Sequence, residues 1–247
     1  MKKLMLTAAV LATFAAPAFA EAPASPHTFT GNLTVASDYR FRGISQTFGK
    51  PAVQGGFDYA HSSGFYVGNW NSNVSGNQYP DGASLEMDFY GGYKFEPVAG
   101  LTADVGLLKY YYPGASIAGV RPDALELYVG ASYKWFSAKY SHAVNDEYFG
   151  LTNADGSYYL DLNANVEIAD KTTLGLHVGH QKFKNSGALD YTDYKIGVAR
   201  DFGFATIGLA YVGSNADSAL YTYSNASGSK SKDVSKDAVV LSLSKTF

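Results

Sequence analysis

Beyond residue 28 the chain is written in a period of two. Phe29, Gly31, Leu33, Val35, Ser37, Tyr39 and Phe41 alternate with Thr30, Asn32, Thr34, Ala36, Asp38, Arg40 and Arg42, so one row carries nearly all the apolar side chains. On an extended strand those rows face opposite ways. The pattern recurs in Val53/Gly55/Phe57/Tyr59, Leu85/Met87/Phe89/Gly91/Tyr93/Phe95, Leu125/Leu127/Val129/Ala131/Tyr133 and Tyr158/Leu160/Leu162/Ala164/Val166, each interleaved with polar or small residues. Further strands are expected near 64–72, 101–111, 136–144, 173–182, 192–201, 204–213 and 238–247. The face of 64–72 stays open, because Phe65 and Val67 compete with Tyr66 and Trp70. Beyond the N-terminus no segment offers the ~20 consecutive apolar residues of a spanning helix.

The connections alternate as regularly as the strands. Short ones fall at 61–64, 96–100, 134–135, 169–172 and 201–203; long polar ones fall at 43–51, 73–83, 112–122, 145–157, 183–191 and 214–237. A membrane barrel has this rotation, with short periplasmic turns and longer extracellular loops. The same threading puts Phe29, Tyr59, Tyr93, Phe95, Tyr133, Phe202 and Phe247 in one outward aromatic girdle and Tyr39, Phe41, Tyr158, Tyr194 and Tyr211 in another. Closure pairs every ladder group without water, which an open sheet in hydrocarbon could not do. The expected fold is an all-β, 12-stranded antiparallel transmembrane β-barrel.

The termini agree. Lys2 and Lys3, the apolar run 4–14 and Ala18-x-Ala20 predict a signal peptide over 1–20, then a short periplasmic leader at 21–27 and the barrel domain at 28–247. The last strand, Val239 to Phe247, alternates apolar and small polar residues and ends on a bare phenylalanine, as terminal strands of outer-membrane barrels do; Phe247 is the candidate assembly signal. Lys245 departs from that signature. Without Lys2 and Lys3, 17 basic residues face 22 acidic ones, which argues against nucleic acid as a partner. The absence of cysteine excludes disulfides and thiolate metal sites. Expected partners are outer-membrane lipid, lipopolysaccharide, the barrel-assembly machinery and small hydrophilic solutes.

The inward row carries Asp38, Arg40, Arg42, Asp58, Glu86, Asp88, Lys94, Asp104, Glu126, Lys134, Lys139, Asp161, Glu167, Asp193 and Lys195. Asp38, Arg40, Arg42, Asp58, Glu86, Asp88, Glu126 and Asp161 are the candidate constriction residues. Nine acids against six bases suggest a weakly cation-preferring aqueous channel; a salt-bridged plug is the alternative. Twelve strands give a backbone radius of about 12 Å, much of it taken by side chains. A structural or adhesive barrel is the rival function, its longest loop 214–237 carrying Tyr221, Tyr223, Lys230, Lys232 and Lys236.

No catalytic, cofactor or metal site is expected. His177 and His180 have metal-like spacing but face opposite sides of a strand. Asn145, Asp146, Glu147, Asn153 and Asp155 lack the Asp-x-Asp spacing of a calcium loop. His142 with Ser137 and Ser141 raises a barrel lipase, but no nucleophile motif surrounds them.

The stretch Ser37-Asp38-Tyr39-Arg40-Phe41-Arg42-Gly43-Ile44-Ser45-Gln46-Thr47, with Lys50-Pro51-Ala52-Val53-Gln54-Gly55-Gly56-Phe57-Asp58-Tyr59, resembles the opening of the TorF-type porins, a bacterial family. The resemblance implies an outer-membrane barrel of this size and brings no substrate or site with it.

Overall fold

The computed structural model describes residues 25–79, 83–225 and 227–247. The expected signal peptide and residues 21–24 of the leader lie outside the described residues.

Sixteen strands occur among them: β1 (His27–Ala36), β2 (Arg40–Phe41), β3 (Ile44–Ser45), β4 (Ala52–His61), β5 (Phe65–Asn73), β6 (Leu85–Val98), β7 (Leu101–Tyr111), β8 (Ala124–Tyr133), β9 (Phe136–Ala143), β10 (Tyr158–Ala169), β11 (Thr172–Lys182), β12 (Tyr191–Asp201), β13 (Thr206–Ser214), β14 (Thr222–Ser224), β15 (Ser231–Asp233) and β16 (Ala238–Thr246). Twelve form a closed antiparallel barrel in the order β1-β16-β13-β12-β11-β10-β9-β8-β7-β6-β5-β4, and β4 returns to β1. The small pairs β2–β3 and β14–β15 stand apart from the wall. Closure runs to the last residue: the Phe247 N–H donates to the Gly31 carbonyl at 2.8 Å, and the Gly31 N–H donates back at 3.1 Å.

Period two decides which side chains meet which solvent. Phe29 and Phe57 are each 76% exposed, and Phe65, Val67, Val129, Leu160, Leu209 and Leu241 share that outer surface. So many exposed large apolar side chains around a closed sheet are the exterior of a barrel in lipid. The 64–72 ambiguity resolves with Phe65 and Val67 outward and Trp70 buried inside. Short turns and the described termini lie at one end. Lys134 adopts a φ of 54° in the turn after β8, so it is a turn residue and not the wall residue expected.

The largest correction concerns residues 37–48. A single strand was expected to run through Arg42, with Tyr39 and Phe41 in the outer girdle. Instead β1 stops at Ala36 and the chain folds inward as the β2–β3 hairpin. Tyr39, Ile44 and Phe48 are buried with Trp70, Tyr90, Leu108, Tyr110, Tyr148, Tyr191 and Val234, which come from all around the wall and its loops. The hydrophobic core of this protein is therefore inside the long-loop half of the barrel. The 214–237 connection, expected as loop, contains β14–β15, and its Tyr221 and Val234 join the interior core.

Candidate functional site: a hairpin held in the lumen

The hairpin exists because of its turn. Arg42 and Gly43 join Phe41 to Ile44 with φ values of 48° and 82°, the positive pair of a type I′ turn. That conformation costs an arginine about 1 kcal/mol, so its contacts must repay the strain. Gly43 is required on a second count, since a Cβ there would lie 2.6 Å from the Asp193 Cβ.

Arg42 is the centre of the site. Its Nη2 donates to Glu126 Oε1 at 2.8 Å and Oε2 at 2.9 Å, and its Nη1 donates to Gln181 Oε1 at 2.7 Å and the Tyr148 hydroxyl at 2.9 Å. Tyr148 donates onward to Glu126 Oε1 at 2.6 Å. The guanidinium also lies 4.1 Å from the Tyr159 ring centroid and 4.8 Å from that of Phe41. Side-chain exposure is 6% for Arg42 and 0% for Glu126, so this is a buried ion pair, bonded through both Nη atoms, crossing from the hairpin to the wall.

A second tie holds the base of the hairpin. Arg40 Nε donates to Asp38 Oδ2 at 2.6 Å, and Ser45 Oγ donates to Asp38 Oδ1 at 2.6 Å. Arg40 Nη1 also donates to the Lys236 carbonyl at 2.7 Å, fixing the hairpin to the long loop. Tyr39 donates to Glu86 Oε1 at 2.7 Å and packs edge-on to Trp70. Where the long loop enters β16, hydrogen bonds from the Tyr211 and Tyr194 hydroxyls hold the Asp237 carboxyl below the usual carboxylate range.

Below the hairpin, the other charged wall residues pair around the lumen. Tyr90 donates to Asp58 Oδ1 at 2.6 Å, and Tyr66 to Asp104 Oδ1 at 2.6 Å, with Lys94 3.8 Å from Asp104. His177 lies between Asp161, 3.0 Å away, and Asp193, 2.7 Å away. His180 faces outward instead, to Thr192 Oγ1. Ser141 is buried on the inner face while His142 contacts Tyr140 on the outer one, so the Ser/His pair does not assemble.

Of the candidate constriction residues, Asp58, Glu86, Asp88, Glu126 and Asp161 lie on wall strands, on the inward row. Asp38, Arg40 and Arg42 are not on the wall; they belong to the inserted segment that meets it. Sequence reasoning missed Tyr39, Tyr110, Tyr148 and Gln181 as partners. Gly43 between Phe41 and Ile44 was the available signal, since X-Gly between apolar residues marks a two-residue hairpin.

A family model described as a bacterial protein of unknown function (Gcw_chp) matches residues 20–247. No curated protein matches the sequence. Among solved structures, the KdgM porin superposes with a TM-score of 0.55 at 7% identity, covering 88% of this chain and 98% of that one. The KdgM porin in complex with disordered oligogalacturonate gives 0.54 at 7% identity, covering 88% and 99%. The NanC porin gives 0.52 at 11% identity, covering 87% and 98%. At these identities the likeness establishes the barrel fold.

Proposed function

We infer, from the premise that this chain belongs to the Gcw_chp family of bacterial proteins and folds as outer-membrane porins fold, that it is a porin-like channel of the bacterial outer membrane for small hydrophilic solutes. The observation that carries this reading is the lumen below the hairpin, lined by charged groups of both signs inside an apolar exterior. Low-dielectric walls amplify such fixed charges, which orient and sort permeating solutes. The acid excess supports a weak cation preference. That one porin of this shape is described in complex with oligogalacturonate supports solute passage as the role of the architecture. Lipid and lipopolysaccharide would meet the outer face, and the assembly machinery the terminal strand. A TorF-type porin assignment, resting on residues 37–59, is part of the same proposal, as is cleavage of the signal peptide after Ala20.

Conduction then depends on the hairpin, because it fills the long-loop half. A specific observation favours a second reading: a packed aromatic core in that half is what a structural barrel without transport would also have. Planar-bilayer recording on refolded protein separates them. Ionic current from wild type, enlarged by Arg42→Ala, is expected of the channel; no current from either folded form overturns it.

A further inference from the structure

Among the described residues, two acids of the outer lumen are left out of its direct salt bridges. Arg42 matches Glu126 and Arg40 matches Asp38, both in close hydrogen-bonded pairs. Glu86 and Asp88, two positions apart on the inward row of β6, are each 0% exposed, and neither makes a salt bridge among the described residues. Among the described residues the buried side-chain polar atoms lacking a hydrogen-bond partner are Gln78 Oε1, Glu86 Oε2, both Asp88 carboxylate oxygens and the Tyr112 hydroxyl. Every one is an oxygen.

These atoms share one region. Asp88 pairs on the ladder with Tyr110 and Met87 with Tyr111, so Tyr112, the next inward position beyond β7, comes opposite Glu86. Tyr112 is itself 1% exposed, and its ring stacks at 4.6 Å on Tyr79, the neighbour of Gln78. Tyr39 spans the recess from the hairpin side through Glu86 Oε1. Burying Asp88 with no donor to either oxygen, beside Glu86 with only Oε1 supplied by Tyr39, is among the costliest arrangements a fold can hold, and orphaned buried polar atoms call for an ion or water. An all-oxygen donor set of charge −2 suits a hard divalent cation, whose remaining positions water can fill.

We propose that Glu86 and Asp88, with the Tyr112 hydroxyl, bind one hard divalent cation of the calcium or magnesium class behind the hairpin. The ion neutralises the pair and holds Glu86 where it receives the Tyr39 hydroxyl, so it also seats the hairpin. The proposal does not require that the barrel conduct.

The test uses the full mature chain refolded in detergent, stripped with EDTA and titrated with calcium chloride and, separately, magnesium chloride. Trp70, across the ladder from Asp88, reports locally by fluorescence. One of the two salts should bind one ion per chain and raise the unfolding temperature by about 5 °C. Asp88→Asn, and separately Glu86→Gln, keep side-chain volume while removing charge, and each should weaken binding about tenfold or more and abolish the response to EDTA. Two variants keep the test decisive if one fails to fold. Equal responses in wild type and both variants would place the ion elsewhere and overturn the site. So would a wild type that binds neither ion, including one stabilised only by acid, which would mean that the carboxyls hold protons.

Discussion

At the scale of single residues, Arg42 decides the state of the lumen. Its positive φ is strained, its charge is buried, and both costs are met by contacts to Glu126, Gln181, Tyr148 and the Tyr159 ring. Arg42→Ala would leave the Glu126 carboxylate buried beside two tyrosine hydroxyls and no cation, a loss of about 3–5 kcal/mol. The measurement is thermal unfolding in detergent. Adding Glu126→Gln to that variant removes the orphaned charge, so the double variant should unfold well above Arg42→Ala alone. Equal unfolding temperatures would mean that the pair contributes nothing by its charge. Arg42→Lys should fall between, because an ammonium cannot bond both Glu126 oxygens and Gln181 in one plane.

At the scale of elements, the wall was legible and the insert was not. Strand positions followed from alternation because lipid outside and a packed or wet interior inside impose opposite chemistry on successive residues. That is why the outward placement of Leu127, Val129 and Leu160 is readable from the sequence. Arg at Leu127, Val129, Leu160 or Leu162 should cost about 2–4 kcal/mol near the midplane, whereas Arg at Ser132 or Asn163 should be better tolerated. Equal damage on both faces, measured by folding titration into vesicles, would contradict the register. The same alternation misled at residues 37–42: Tyr39 and Phe41 kept the apolar phase of β1, yet they serve an interior core. Periodicity reports which residues share a face and cannot say whether that face meets lipid or a second apolar layer. Only Arg42-Gly43 carried the break, as turn chemistry. Gly43→Ala tests it, since its Cβ would crowd the Asp193 Cβ and the Gly213 carbonyl at a φ of 82°. A loss of about 1–3 kcal/mol with the wall intact by circular dichroism is expected. The interior partners were unreadable for a further reason: Arg42 and Gln181 are joined only by closure of the sheet.

At the scale of the whole molecule, closure and charge are the two global properties. The seam between β16 and β1 ends in the reciprocal Phe247–Gly31 backbone bonds, so deleting Phe247 removes that bond pair and the terminal aromatic together. Export should continue while the yield of heat-modifiable barrel in the outer membrane falls; unchanged yield would count against Phe247 as an assembly signal. Charge in the outer lumen is set by Asp38, Glu86, Asp88 and Glu126 against Arg40 and Arg42, and those two arginines are also what holds the hairpin in place. Removing both cations therefore couples two outcomes that a solvent-lined pore would keep separate. Arg40→Ala with Arg42→Ala should lower the unfolding temperature, free the hairpin from the wall and the Lys236 carbonyl, and expose an acidic passage. Under a potassium chloride gradient the reversal potential should then move toward the potassium equilibrium value, and single-channel conductance should rise. A lower unfolding temperature with unchanged selectivity would make the arginines structural ties alone, remote from any ion path. A shift in selectivity without loss of stability would mean that the hairpin is held by its apolar contacts and the arginines act on permeating ions through their charge.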